Sequence, residues 1–270
     1  MYGQNEINLY LKKIGCMGNT EVNLHNLKNL HYRHLLHIPY ENLDPMNGVP
    51  LSLDAKDLFQ KIIVNQRGGY CFELQGLFYY LLKSLGYQVT QYAGRFMDEP
   101  GHIQMRRHRI LVVELDGKRY VCDVGVRSES PRYPLELKEN MIQNDGICSY
   151  RYERDAFFGW VLMQQAKGKH WKTLLGFTEE PQIDDDYIMP SFYCEQHPDS
   201  TFNKFMKISI FTEEANLNIV GNEYRVFQNG RITEKQLLET DAAVRTLLSD
   251  RFGIHVPPHY QNLLFPSNEK

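Results

Sequence analysis

The order of elements legible in this 270-residue chain predicts an α+β fold, on three observations. Apolar residues at helical spacing dominate the first third. Alternating β-rich runs take over from about residue 87, and a second set of such runs ends in a further helical pattern. Helices first, strands next and strands with a terminal helix differ from the strict alternation that builds a parallel sheet.

Taken in order, Leu24, Leu27, Leu30, His34 and Leu35 recur at spacings of three and four until Pro39 stops the pattern, which predicts a helix. In CFELQGLFYYLLKSLG, Leu74, Phe78, Leu81, Leu82 and Leu85 make one apolar stripe, with Gly68-Gly69 marking its start and Gly86 its stop. YQVTQYAGRF, RRHRILVVEL and KRYVCDVGV are strands by pattern, the last two joined by Asp116-Gly117, a two-residue hairpin signal. Residues 131–204 hold aromatic strand-like pieces such as SYRYERDAFFGWVLMQ, and a charged stretch, EEPQIDDDY, predicted as loop or linker. FMKISIFTEE, ANLNIVG and NEYRVFQNGRIT predict an antiparallel meander, and LLETDAAVRTLLSDRF a closing helix.

The length suits two or three subdomains that share a core and a cleft. A net charge of -3, a pI near 6.4 and scattered basic residues argue against a nucleic-acid face or a membrane-binding patch, so the expected partner is a small molecule. Five cysteines form no C-x-x-C pair, and the N-terminus lacks a charged region followed by an apolar run, so free thiols in a reducing cytoplasm are expected. No uninterrupted apolar stretch approaches the ~20 residues that cross a bilayer.

Cys71 follows a glycine pair at the expected first turn of the second helix. Free N–H groups and the helix dipole at such a position stabilise a thiolate, the reactive form, and can also face a developing oxyanion. The plain alternative is a small buried hydrophobe on the stripe of Leu74 and Phe78. The preceding Arg67-Gly68-Gly69 disfavours it, because the glycines admit close approach by a backbone or ligand.

Hairpin register supplies the rest. With Asp116-Gly117 as the turn, Leu115 faces Lys118, Glu114 faces Arg119, Ile110 faces Asp123 and His108 faces Gly125. His108, Ile110, Val112, Val121 and Asp123 then share one side, and Cys122 falls on the other as a structural residue. His108 and Asp123 become diagonal neighbours, ~7–8 Å apart at the backbone and within reach of a side-chain hydrogen bond. A carboxylate so placed fixes the imidazole tautomer and stabilises the imidazolium formed when a thiol proton is taken. An ordinary surface His–Asp pair is the alternative, disfavoured by the apolar face around it.

These residues resemble the arylamine N-acetyltransferase family in an ordered series. HLLHIPYENLD at 34–44 is similar to its HxLxxxPFENL, RGGYCFELQGLF at 67–78 to its RGGxCxExNxLF, and LGYQVTQYAGR at 85–95 to its LG[FY]xVxxxxxR. YVCDVG at 120–125 is similar to its YxVDVGFG, and HPDSTF at 197–202 to a stretch before its third domain. The resemblance implies a helical domain over 1–86, a β-barrel domain with linker over 87–204 and an α/β lid over 205–270, with a cysteine-protease-like site. It places the triad on Cys71, His108 and Asp123, acceptor walls on Tyr40, Phe96, Val126 and Phe202, and coenzyme A contacts on Arg127, Ser128, Ser200 and Thr201. It pairs Glu41 with Arg67 beneath the nucleophile. It implies ping-pong transfer from acetyl-CoA as co-substrate, without a metal, to an arylamine, arylhydrazine or arylhydroxylamine.

Departures are local. Gly125-Val126-Arg127 stands where the family has Gly-Phe-Gly, removing an aromatic wall and adding a cation and a Cβ in a tight loop; Gln75 replaces asparagine and Tyr40 phenylalanine. The basic run Gln104-Met105-Arg106-Arg107 is either solvated or a contact for a coenzyme A phosphate. The same triad attacks amides and thioesters alike, so a cysteine hydrolase or transglutaminase-like enzyme is the alternative within catalysis. A catalytically silent small-molecule binder is the alternative outside it. His31, His34 and His37, the Cys194–His197 pair and Asp184-Asp185-Asp186 lack the partners of a metal site and are expected to be packing or solvated groups.

Overall fold

The computed structural model describes residues 1–97, 103–228 and 230–264; Asn229, in the last strand-rich run of the predicted meander, and residues 265–270 lie outside them. The chain opens with α1 (Gln4–Lys13), α2 (Leu24–His37), two short helices, α3 (Leu43–Met46) and α4 (Ala55–Phe59), and the long α5 (Cys71–Leu85). A π-helical turn, Gln60–Val64, continues α4. Eight strands follow: β1 (Gln88–Phe96), β2 (His108–Leu115), β3 (Lys118–Cys122), β4 (Leu135–Glu136), β5 (Gln143–Asn144), β6 (Cys148–Asp155), β7 (Gly159–Ala166) and β8 (Lys172–Pro181). They pair antiparallel in the order β4-β3-β2-β1-β8-β7-β6-β5. After α6 (Ile188–Gln196) come β9 (Lys207–Phe211), β10 (Ala215–Val220), β11 (Glu223–Gln228) and β12 (Arg231–Leu237), a four-stranded meander, and then α7 (Asp241–Phe252).

The eight-stranded sheet curls into a nearly closed barrel whose end strands meet through one side chain. Gln143 in β5 accepts from the Glu136 N–H of β4 at 2.7 Å and donates to its carbonyl at 2.9 Å, satisfying an edge that would otherwise be open. Ile110, Val112, Val121, Leu162 and Leu175 fill the interior, while Leu111, Val113 and Cys122 on the other face pack against α5. Cys122 is structural, as expected. A third core joins the meander to α7 through Ile208, Leu217, Ile219, Val244, Leu248 and Phe252, and takes in Leu43 and Met46 of α3.

The stripe Leu74, Phe78, Leu81 and Leu82 is fully buried, but the first half of α5 is buried all round because helices and sheet enclose it. The Gly68-Gly69 pair serves another backbone. A Cβ on Gly68 would stand 2.1 Å from the Pro39 carbonyl oxygen, and Gly69 exchanges N–H···O bonds with Pro39 and Glu41 at 3.3 and 2.9 Å. The nucleophile loop is thereby stitched to the segment after α2.

Several expectations are corrected. Helix α1 was not predicted, although Ile7, Tyr10 and Leu11 already lie at helical spacing and are buried. Part of EEPQIDDDY is strand, since Glu179, Glu180 and Pro181 finish β8. Helix α6 escaped the pattern because its buried residues are Ser191, Cys194 and Glu195, while Ile188, Met189 and Phe192 are exposed. The closing helix begins only at Asp241, where the Thr240 side chain accepts the Ala243 N–H; Leu237 belongs to β12.

The β2–β3 hairpin has the predicted register, with Leu115 opposite Lys118, Glu114 opposite Arg119 and Val112 opposite Val121. Asp116 and Gly117 both have positive φ, as a type I′ turn requires. The ladder stops at Leu111–Cys122, so the expected pairings of Ile110 with Asp123 and of His108 with Gly125 do not form. The reason is Gln75. Its amide enters from α5 and donates to the Arg109 and Cys122 carbonyls at 2.9 and 3.4 Å, occupying the place of further ladder bonds.

Candidate active site

Cys71 is the first residue of α5 and is buried. No side chain caps the helix at Tyr70, leaving the first-turn N–H groups directed at the thiol end; Glu73 accepts the Tyr70 N–H at 3.1 Å and holds the turn. The thiol sulfur lies 3.9 Å from the Arg107 carbonyl. Burial pushes the Cys71 thiol well above its ordinary value, Cys194 and Asp123 add to the rise, and the Phe72 N–H and Arg107 oppose it. This reverses the thiolate stabilisation expected from the helix start alone. Desolvation outweighs the first-turn N–H groups, so a thiolate here requires a counter-cation.

His108, at the start of β2, is 1% exposed and its Nε2 lies 2.7 Å from Asp123 Oδ2. The other carboxylate oxygen accepts from Gln75 Nε2 at 2.9 Å and from the Gly125 N–H at 3.0 Å. Asp123 is therefore fixed on both oxygens although it lies beyond the ladder. Among the described residues His108 Nδ1 has no hydrogen-bond partner. Gly125 packs on the nucleophile: a Cβ there would stand 3.1 Å from Cys71 Cα. Gln75, noted in the sequence only as a substitution, is the residue that joins the nucleophile helix to the aspartate, and no local sequence signal marks it.

A cavity of about 300 Å³ borders this cluster, and Tyr40, Phe96, Val126 and Phe202 all line it. The Phe96 ring lies 4.9 Å from that of His108. Arg127 and Thr201 also line the cavity, together with Arg107 and Lys207. The structure does not bring the other two expected coenzyme A contacts there. Ser200 is fully buried and donates its hydroxyl to the Cys194 carbonyl at 2.5 Å, and Ser128 lines a separate cavity of about 120 Å³ beside Arg132 and Asp145. Of the basic run, Arg106 pairs with Glu180 at the surface while Arg107 faces the cavity. A cavity of about 420 Å³ elsewhere is lined by Asp44, Lys61, Arg67, Glu73 and Tyr260 and does not include the thiol.

The family model described as N-acetyltransferase matches residues 23–260. The chain belongs to this family. An arylamine N-acetyltransferase from Mycobacterium tuberculosis is 36% identical over 259 residues, 93% of this chain and 90% of the relative, and one from Escherichia coli is 29% identical over 252 residues, 93% and 89%. Among solved structures, arylamine N-acetyltransferase from Salmonella typhimurium superposes with a TM-score of 0.88 at 26% identity, covering 94% of this chain and 92% of that one. The Mycobacterium marinum enzyme in complex with CoA gives 0.86 at 34% identity, covering 92% of each chain. This chain is accordingly an acyltransferase with the α+β architecture of the arylamine N-acetyltransferases.

In this member of the family the nucleophile loop rests on a buried ion network. Arg67 meets Glu41 at 2.8 Å and Asp44 at 2.5 Å, and Lys61, in the π-helical turn, bridges Asp44 at 2.7 Å and Glu73 at 2.6 Å. Tyr260 donates to Asp44 at 2.7 Å, which ties the C-terminal segment to the same network. Against the burial penalty, Lys61 and Arg67 pull Asp44 down to about 2, whereas burial pushes Glu73 up to about 7 in spite of Lys61. Arg67→Met should destabilise the fold by about 3–5 kcal/mol, because it leaves two buried carboxylates short of a partner. Urea unfolding measures this, and removing Glu41 as well should restore part of the loss; a single variant with parental stability would contradict the account.

Two further expectations resolve differently. Asp185 and Asp186 are exposed as expected, but Asp184, its side chain 42% exposed, is also a structural acceptor: it accepts from Tyr80 at 2.7 Å, Gln91 at 3.1 Å and the fully buried Arg109 at 2.8 Å. Its partners lie 75 to 104 residues earlier in the chain, so no local pattern shows them. His31 and His34 are packing residues, held neutral as burial lowers them to about 4 and 3, with contacts to the Arg132 carbonyl and the Tyr10 hydroxyl.

Proposed function

We propose that the chain transfers an acetyl group from acetyl-CoA to an arylamine, arylhydrazine or arylhydroxylamine in two half-reactions through S-acetyl-Cys71. The observation that carries this reading is the buried His108 held by Asp123, with its second nitrogen free of partners among the described residues, beside a cavity whose wall residues Phe96 and Gly125 pack on His108 and on Cys71.

His108 Nδ1 takes the thiol proton, and the imidazolium so formed is stabilised by Asp123, whose own geometry Gln75 and Gly125 maintain. The thiolate attacks the thioester carbonyl, and N–H groups of the first turn of α5 face the oxyanion. The coenzyme A sulfur departs with the proton from His108. The acceptor nitrogen then attacks the acetyl-cysteine, His108 removes its proton, and the Cys71 thiol is restored. The cations Arg127, Arg107 and Lys207 suit an anionic donor, with Arg127 and Thr201 the groups that would meet its charged end. Free thiols throughout the described residues accord with a reducing compartment, the cytoplasm.

Intact-mass analysis after incubation with acetyl-CoA tests the reading: one acetyl group on Cys71 is the expected result. CoA retained without an adduct would point to a silent binder, and turnover of peptide or glutamine amides to a hydrolase or transglutaminase-like enzyme. Val126 borders the acceptor space, so Val126→Phe should change relative rates over a panel of substituted anilines while Cys71 acetylation stays close to parental. Unchanged relative rates would remove Val126 from the acceptor wall.

A further inference from the structure

The loop after Asp123 separates two cavities. Val126, Arg127 and Glu129 line the one beside the nucleophile, while Ser128 and Ser130 line a second, of about 120 Å³. The second lies between the barrel, which contributes Arg132, Asp145 and Cys148, and the C-terminal meander, which contributes Asn216. Its polar wall is rich in donors. Arg132 and Asn216 are 5% and 8% exposed. The Arg132 guanidinium donates to the Thr212 carbonyl at 2.9 Å and lies 5.3 Å from the centre of the Phe211 ring, and among the described residues it pairs with no carboxylate. Asn216 Oδ1 accepts from Asn218, but its Nδ2 has no hydrogen-bond partner among the described residues. Ser130 Oγ accepts the Val126 N–H at 2.9 Å, which leaves its own proton to donate. The carboxylate on this wall, Asp145, is already engaged. Its Oδ1 accepts the Ile147 and Cys148 N–H groups at 2.9 and 2.8 Å, and its Oδ2 the Arg132 N–H at 3.1 Å and the Tyr150 hydroxyl at 3.2 Å. A buried guanidinium without counter-charge and a buried amide without an acceptor are both unfavourable, and one bound anion satisfies both.

We propose that this cavity binds a small planar monoanion, a carboxylate of acetate size, and that the anion steadies the 126–130 loop. The proposal goes beyond the acetyl-transfer reading and does not depend on it. Water supplies an acceptor to Asn216 but no charge to Arg132, whereas a carboxylate supplies both, and its two oxygens suit the fork of a guanidinium. Volume and charge restrict the ligand. At ~30 Å³ for each water-sized group, the cavity holds about four non-hydrogen atoms, the number in acetate or hydrogencarbonate. With Asp145 on the same wall, a single guanidinium supports one negative charge better than two, which disfavours a phosphate dianion. The anion also accepts the Ser130 proton, and Ser130 in turn holds Val126, whose neighbour Arg127 keeps a φ of +50°. Occupancy behind the loop thus reaches the wall of the nucleophile's cavity through one hydrogen-bonded serine.

Calorimetry on the full chain, titrating sodium acetate at an ionic strength fixed with sodium chloride, tests the site in the parent, Asn216→Asp and Arg127→Gly. The expected Kd is on the order of 1 mM, as suits an ion of so few atoms. Asn216→Asp keeps the shape of the side chain and the acceptor for Asn218 but sets a fixed negative charge in the cavity, so it should weaken acetate ~10-fold or more. Arg127→Gly removes a cation from the other cavity and should leave the Kd unchanged. Acetate should also slow alkylation by iodoacetamide of Cys148, the half-buried thiol on this cavity, and slow amide exchange across residues 126–130, in the parent and not in Asn216→Asp. Thermal unfolding without acetate checks that Asn216→Asp is folded; should it not be, Ser128→Ala, which removes one hydroxyl from the wall, carries the comparison with a smaller loss. No acetate binding by the parent, or binding lost in Arg127→Gly and kept in Asn216→Asp, would overturn the site. Phosphate binding tighter than acetate would overturn the ligand class, and acetate binding without a change in exchange at 126–130 would overturn the coupling to the loop.

Discussion

Cys71→Ala is expected to abolish formation of the acetyl adduct and all turnover that passes through it, while Cys16, Cys122, Cys148 and Cys194 can each be replaced with activity retained. The difference is one of surroundings. All five thiols are free, and those of Cys16, Cys122, Cys148 and Cys194 are likewise raised by burial, so none is intrinsically activated. Of the five, Cys71 is the one that opens a helix, and it packs on Gly125, whose N–H bonds the same Asp123 that holds the buried His108. Mass spectrometry after exposure to acetyl-CoA, followed by peptide mapping, reads the result directly. An adduct on another cysteine, or covalent turnover by the alanine variant, would place the nucleophile elsewhere.

The second large effect is expected at Asp123. Its Oδ1 accepts two N–H donors, from Gln75 and Gly125, so in Asp123→Asn the amide oxygen must keep that position and the NH2 must face His108 Nε2. The imidazole is then forced to carry its proton on Nδ1, the nitrogen that should receive the thiol proton. Acylation and acyl transfer should both fall, on the order of 10³-fold or more. Because the imidazolium also loses its supporting charge, the apparent thiol pKa should rise, so alkylation slows at neutral pH and recovers only at higher pH. Asp116→Asn is the control. It preserves an Asn-Gly turn at positive φ and should overlay the parent in alkylation rate against pH. An Asp123→Asn protein with parental profile and parental turnover would dismiss the triad.

What the sequence determined by itself is what short-range rules control. Side-chain alternation and the two-residue Asp116-Gly117 turn gave the hairpin register and put His108 and Asp123 on one side, because strand periodicity and turn geometry act within a few residues. Helical spacing likewise located α2 and α5, and the glycine pair located the start of α5 at Cys71. Only the tertiary structure decided that the ladder ends at Cys122 and that Gln75, from a helix, replaces it and secures Asp123. It likewise decided that Asp184 neutralises Arg109, that Ser200 is spent on the Cys194 carbonyl, and that burial raises the thiol which the helix start alone would lower. It also brought Arg107, Arg127 and Lys207, from three separate segments, to one cavity. These outcomes depend on desolvation and on partners distant along the chain, and neither quantity is a function of local residue pattern.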